Sequence, residues 1–402
     1  MKRKHGFIAA VRIYVLLAIL LPALPAEAQE PILISYKRNF VRANLATKSG
    51  ILRDAATDER ASEFIGPLYE FALNFALQNA DILKDDPDMI ALTVLASRGL
   101  GEIGYRQSVD TLWTVFMTYR DSVTRVEVLK TLAVVGKGNA LVAENLNQFL
   151  ANQNNLYRSG MVPDYPTLSA CISTLSALGD GSSFPILFSS MIAGYPGSIT
   201  QEAADALGSI EGDYKQYLID VMRKNPPAEK LAAFRAGVRN EKFSEADLGD
   251  LAETALEISL ELFPANAEGE AAVRDLRYSA VNTLGDLKWT KATPLVIKHF
   301  YRVQGDYGNG NAAKDQFLNA IVCLGAMGSS EAAQVLALQL GLLNSQMERT
   351  GEFDDAVILA VINALGNLGD KIAFDYLLYI GYLPYPEPIQ LAAREALNRL
   401  KW

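Results

Sequence analysis

Apolar residues recur three or four positions apart along most of this chain, and the clearest instance runs from Ala356 to Ile380. There Val357, Val361, Ala364, Leu365 and Leu368 fall on one helical face. Gly366 and Gly369 follow as helix terminators, and Asp370 stands where it can accept backbone N–H groups of a second helix. Ala373, Leu377 and Ile380 share a face of that second helix. The pattern predicts two short amphipathic helices joined by a tight Gly-Asp corner. Such a hairpin cannot bury both apolar faces alone, so it needs neighbours like itself.

The neighbours are visible as a repeat. The place held by Gly366 is taken earlier by Gly101, Ala133, Ser176, Gly208, Gly285 and Gly325, at successive intervals of 32, 43, 32, 77, 40 and 41 residues. The long interval holds a worn copy, Glu229 to Asn240 followed by Ser244 to Leu262. Asn139, Ser182 or Ser183, Asp213, Thr290, Ser329 and Asp370 stand as N-caps of the second helices, with Pro185 and Pro294 in first turns. Residues 29–88 read as irregular capping helices, and 89–402 as a repeat array continuous with them. Pro388 to Trp402 is the closing helix, its Arg394, Glu395, Arg399 and Lys401 on the outer side. No alternating run is long enough for a sheet, so the fold expected is an all-α solenoid without an internal domain boundary.

The A-L-G-x-L-G-D corner followed by an apolar helix with an early proline ("TKATPLVIKHF", "GSSFPILFSSM") resembles HEAT repeats, in particular the short HEAT-like type also found in phycobilin lyases. The resemblance covers nearly all of Met89 to Trp402. It implies a right-handed α-α superhelix of about nine helical hairpins plus a closing helix, curved and suited to gripping proteins along an extended surface. Tetratricopeptide repeats are the rival, but their 34-residue period and Trp/Tyr pattern are absent.

Residues 1–28 look unlike the rest. Lys2, Arg3, Lys4 and Arg12 precede an apolar run from Ile13 to Leu21 and an Ala26-Glu27-Ala28 site, the signature of a secretory signal peptide. Export to the periplasm, or to the exterior where no outer membrane exists, is the expectation. Cleavage removes four basic residues and one acid, taking the net charge from −9 to −12. An acidic chain without a basic stripe is a poor match for nucleic acid. Cys171 and Cys323 lie on apolar faces about four repeats apart, too far for a disulfide, and read as small buried hydrophobes.

Candidate chemistry is sparse. Gly99-Leu100-Gly101-Glu102-Ile103-Gly104 is a literal G-x-G-x-x-G, yet it closes a helix where a dinucleotide fingerprint opens one after a strand. Of two histidines only His299 follows the leader, which removes mechanisms needing a histidine pair and iron sites of paired His-Glu type. His299 is expected near a helix end, where an imidazolium suits the negative terminus. Asp306, Asn309, Asn311 and Asp315 lack the alternation and terminal Glu of a calcium loop. Bilin lyase activity, which the resemblance suggests, has no support from the residues and does not suit an exported chain. No catalytic residue, cofactor or metal is assigned.

The segments between hairpins carry aromatics: Tyr119, Tyr157, Tyr165, Tyr195, Tyr307, Phe353, Tyr382 and Tyr385. Either these rings fold down to seal the seam between repeats, or they present a recognition ridge, for which tyrosine is well suited. The function expected is a non-catalytic scaffold binding another exported or envelope protein through the solenoid groove or this loop edge. The alternative is a periplasmic binder of a small or polymeric ligand, such as a peptide or glycan segment, in the groove.

Overall fold

The computed structural model describes residues 30–401. The leader read over residues 1–28 lies outside them. The described residues are helical nearly throughout and contain no strand, with one isolated bridge joining Asp370 to Lys401. Contacts gather in two compact units that divide between Asp180 and Gly181, and each is described by itself.

The first unit comprises α1 (Glu30–Arg42), α2 (Leu45–Thr57), α3 (Ile65–Gln78), α4 (Ala80–Leu83), α5 (Pro87–Glu102), α6 (Val109–Thr118), α7 (Ser122–Val135), α8 (Ala140–Arg158) and α9 (Tyr165–Leu178). Helix α3 packs on α5, α5 on α7 and α7 on α9, with α6 against α7 and α8 against α9. Leu92, Ala96, Leu100, Val128, Leu132 and Leu175 are fully or almost fully buried between these layers, as the period of their apolar positions requires.

The second unit comprises α10 (Phe184–Ile192), α11 (Gly197–Ser209), α12 (Tyr214–Lys224), α13 (Pro227–Val238), α14 (Glu245–Glu261), α15 (Ala267–Asp286), α16 (Thr293–Gly308), α17 (Lys314–Gly325), α18 (Ser330–Thr350), α19 (Asp355–Leu368), α20 (Phe374–Tyr379) and α21 (Glu387–Asn398). Here α13, α15, α17, α19 and α21 stack in order as one layer, and α10, α12, α14, α16, α18 and α20 as the other. The worn copy is real: it forms α13 and α14, with Ser244 and Asp247 making a reciprocal capping box at the start of α14. Arg394, Glu395, Arg399 and Lys401 face solvent at the closing end.

Most of the expected caps are present. Side chains of Asn139, Asp213, Ser329 and Asp370 accept from the backbone N–H groups of Leu141, Gln216, Ala332 and Ile372. Thr290 does otherwise. It opens a short 3-10 turn, and its hydroxyl donates to Met327 O at 2.7 Å, tying one corner to the next.

The corner glycines need a correction. Gly366 does not end its helix: α19 runs through it to Leu368, and Gly369 alone turns left-handed, at φ 65°. Gly366 instead admits α21, since a Cβ there would stand 3.0 Å from Ala396 Cβ. The same holds at three earlier corners, though not at Gly208, which faces open space. A Cβ on Gly101 would meet Thr131, one on Gly285 would meet Cys323, and one on Gly325 would meet Ala364. At these four corners the first glycine is a spacer between successive first helices, and the left-handed turn falls three residues later, on Gly104, Lys288, Gly328 and Gly369.

Candidate interaction surface

Three of the aromatic residues singled out between hairpins are interior. Tyr119 is fully buried and its hydroxyl donates to Ala76 O at 3.3 Å. Tyr385 is buried, with its hydroxyl against Leu343 O and Asn344 Oδ1 and its phenol pushed up to about 12 by burial. Tyr195 is buried as well. Tyr307 is half-buried and stacked on Phe317 at 5.1 Å, and Phe353 meets Tyr385 edge-on at 5.4 Å. Tyr157 and Tyr165 are half-buried, and Tyr382 alone of the eight is well exposed, at 77%. Most of these rings therefore seal the seams between hairpins, each adding aromatic contact to the apolar area removed from water.

What the inter-hairpin loops do expose is a different set. Met161 and Val162 stand out between α8 and α9 in the first unit, and Phe263 between α14 and α15 in the second. Phe263 is 74% exposed, yet it is held in place. The Arg302 guanidinium lies 5.0 Å from its ring centre and donates through Nη1 to Leu260 O, near the end of α14. Phe263 lies outside the aromatic set read from the sequence, although "LFPANA" carries the same pairing of an aromatic residue with proline.

Helices α15 and α16 also hold an unusual interior group. Arg277 of α15 is 5% exposed, with its Nε lacking any hydrogen-bond partner and its Cζ 5.7 Å from the Tyr278 ring centre. Tyr278 meets His299 of α16 edge-on at 5.2 Å. His299 is fully buried and neither ring nitrogen has a partner. Burial first, and then the charges of Arg277 and Arg302, pull its pKa down to about 3. It is therefore neutral at ordinary pH, which corrects the expectation of an imidazolium at a helix end: His299 lies in the middle of α16, away from the terminal carbonyls. Among the described residues no carboxylate makes an ion pair with Arg277 or Arg302. Asp306 is the acid that acts on Arg277 electrostatically, from beyond ion-pair distance.

Other buried cations donate to carbonyls, although Arg125 Nη2, like Arg277 Nε, has no partner. Lys230 Nζ donates to Met222 O and Arg223 O at the end of α12, Lys48 Nζ to Phe40 O near the end of α1, and Arg125 Nε to Tyr119 O after α6. Each satisfies carbonyls that a helix C-terminus leaves open. Arg277 occupies a comparable place in a first helix but finds no such carbonyl.

The residues of the G-x-G-x-x-G match lie in the last turns of α5 and its corner. There a Cβ on Gly99 would strike the Tyr69 ring, and only Gly104 turns left-handed. Close helix packing thus accounts for the glycines, and no strand precedes them. The segment from Asp306 to Asp315 spans the last residues of α16, the turn and the first residues of α17, and Asp306 O accepts from the backbone N–H groups of Asn311 and Ala312. Cys171 and Cys323 are both free and buried, with thiols pushed up to about 12 by burial. Across the second layer of the second unit runs a cleft of about 320 Å³, lined by Lys215, Asp250, Glu253, Glu257, Lys291 and Leu295 among others. Lys215 bridges Asp247 and Asp250, and Lys291 reaches Asp250 and Glu253. No helix among the described residues is long and apolar enough to cross a membrane.

No protein-family model matches the chain, and no curated protein sequence matches it. What the chain shares with helical repeat proteins is its architecture, helices packed in sequence order on the neighbour after next.

Proposed function

We propose that this protein is an exported, non-catalytic scaffold of HEAT-like type that grips a partner protein of the same compartment through its inter-hairpin loops. The observation that carries the reading is Phe263, a large ring held in solvent by Arg302 where a loop side chain would gain by folding inward. Tyr382 in the same unit and the Met161–Val162 pair in the first unit are exposed on equivalent loops. Aromatic and arginine side chains together are the usual anchors of protein interfaces.

A second reading keeps a ligand in the cleft lined by Lys215, Asp250, Glu253, Glu257 and Lys291, whose size and polar walls fit a peptide or glycan segment. The two separate on one experiment. Crosslinking in the native envelope, followed by capture with the wild-type chain and with Phe263→Ser and Tyr382→Ser variants, should recover a stoichiometric protein that the variants lose. Capture unaffected by both substitutions, alongside a melting temperature raised by oligosaccharide or peptide and abolished by Glu253→Gln, would replace the first reading with the second.

A further inference from the structure

We infer that the outer face of α1 docks on an anionic lipid bilayer, the membrane across which the chain is exported. The inference goes beyond the partner-gripping loops and rests on the export reading only for which membrane the helix meets.

Ile34, Lys37, Arg38, Val41 and Arg42 are spaced as one face of α1, and together they line a shallow hollow on the first unit. Ile34 is 48% exposed and Val41 62%, and Arg38 and Arg42 are exposed with them. The helix is fixed from its other side: Phe40 is buried edge-on to Phe71 and Phe75, and the Tyr36 hydroxyl donates to Asp58 Oδ2 at 3.0 Å. Lys37 is half-buried, its ammonium 5.1 Å from the Phe71 ring centre, so Arg38 and Arg42 carry most of the outward charge. Among the described residues none of these three cations is in an ion pair. Two exposed aliphatic side chains are too little apolar area for insertion, so the contact is peripheral and led by charge, with guanidinium groups on lipid phosphates. Loss of the leader takes the net charge from −9 to −12, and a chain of that charge is repelled as a whole by an anionic surface. This positive face therefore sets the orientation of approach. An acidic protein would also supply opposite charge, but the sequence puts the membrane nearest. Only Pro22 to Gln29 separate the apolar run Ile13–Leu21 from α1, a stretch that reaches about 30 Å at most. While the leader is in the bilayer, α1 is held within that distance of the headgroups.

The probe is vesicles of phosphatidylglycerol and phosphatidylcholine in equal parts, with phosphatidylcholine alone as the control of no net charge, each sedimented with the full mature chain. The chain should bind the mixed vesicles, leave them as salt rises, and ignore the control. Arg38→Gln and Arg42→Gln should each weaken binding about fivefold, the effect of one cation near such a surface. Ile34→Ser combined with Val41→Ser should weaken it as well. These four side chains are exposed, so the variants should keep the wild-type melting temperature. Lys130→Gln, at an exposed cation of α7, should change nothing. Equal binding to both kinds of vesicle, binding to neither, or binding unchanged in both arginine variants would each overturn the inference. So would a dimer in vesicle-free solution that the arginine variants dissolve, which would give the face to a second copy of the chain. Vesicle binding stands apart from export and from partner capture. N-terminal sequencing of the envelope protein tests the leader, and Phe263→Ser should lose the partner while keeping the vesicles.

Discussion

Gly325 of α17 lies so close to Ala364 of α19 that a Cβ built on it would stand 2.6 Å from the alanine Cβ and 3.1 Å from its Cα. Both obstacles are fixed to backbone, so neither can rotate away. Gly325→Ala should therefore destabilise the second unit by about 1–3 kcal/mol, despite the better helix propensity of alanine. Gly208, near the end of α11, has nothing within 4 Å of such a Cβ. Gly208→Ala should stabilise by roughly 0.5–1 kcal/mol. Urea unfolding of the two variants gives opposite shifts of midpoint, and equal shifts would remove the spacer role assigned to the repeat's first glycine.

His299 makes stability fall with acid. Its folded pKa, pulled down to about 3, lies below the ordinary 6.5, so the unfolded chain binds the proton more readily between those values. The neutral ring's contribution is complete above about pH 6.5 and is lost as pH falls toward 3, at no more than about 1.4 kcal/mol per pH unit. The paired carboxylates act lower: Asp370, held down by the Ile372 N–H and by Ser330, and Asp354, held down by Lys314 against its own burial, give up their contribution below the ordinary value of 3.8. Melting temperatures between pH 6.5 and 4.5 should therefore slope in the wild type and flatten in His299→Phe. A slope that survives the substitution would show that His299 is not the titrating group.

The hairpin architecture was legible because it is written locally. Val357, Val361 and Leu365 announce a helix by spacing alone, Asp370 announces a cap by its place after Gly369, and even the worn copy around Glu229 kept enough of both to be placed. What failed to read depends on residues distant in sequence. The role of Gly366 is set by Ala396, and the burial of Tyr119 by Ala76, neither of which a local pattern contains. The buried cations carried a signal that went unused: Lys230 shares a helical face with Ala233, Phe234 and Gly237, and Arg277 with Val273, Ala280 and Leu284. A charge at a core position of an amphipathic helix asks for a partner. The sequence could have raised that question at Arg277 without being able to answer it.

Tyr385 and Tyr382 are three residues apart and should behave oppositely. Tyr385→Ser removes an interior ring that meets Phe353 and leaves Leu343 O and Asn344 without their hydroxyl, a loss of about 3–5 kcal/mol. Tyr382→Ser touches a side chain mostly in solvent and should stay within about 0.5 kcal/mol of wild type. Thermal unfolding ranks them directly. A Tyr382 variant as damaged as the Tyr385 variant would mean that the exposed ring is packed against something, and would withdraw it from the interaction surface.

The same substitution should also change sign between two interior cations. Lys230 of α13 places its ammonium on Met222 O and Arg223 O, where the end of α12 leaves carbonyls open and the helix dipole is negative. Lys230→Met removes the donor from both carbonyls and should cost about 1–3 kcal/mol. Arg277→Met deletes a charge whose Nε has no partner and whose nearest acid is out of ion-pair range, while methionine keeps much of the apolar stem against Tyr278. In the free protein that change should be neutral or stabilising, because the desolvation cost of the guanidinium disappears with it. Denaturant midpoints for the pair decide the matter. Equal destabilisation would mean that Arg277 is held by the fold as Lys230 is, through Tyr278 and the charge of Asp306.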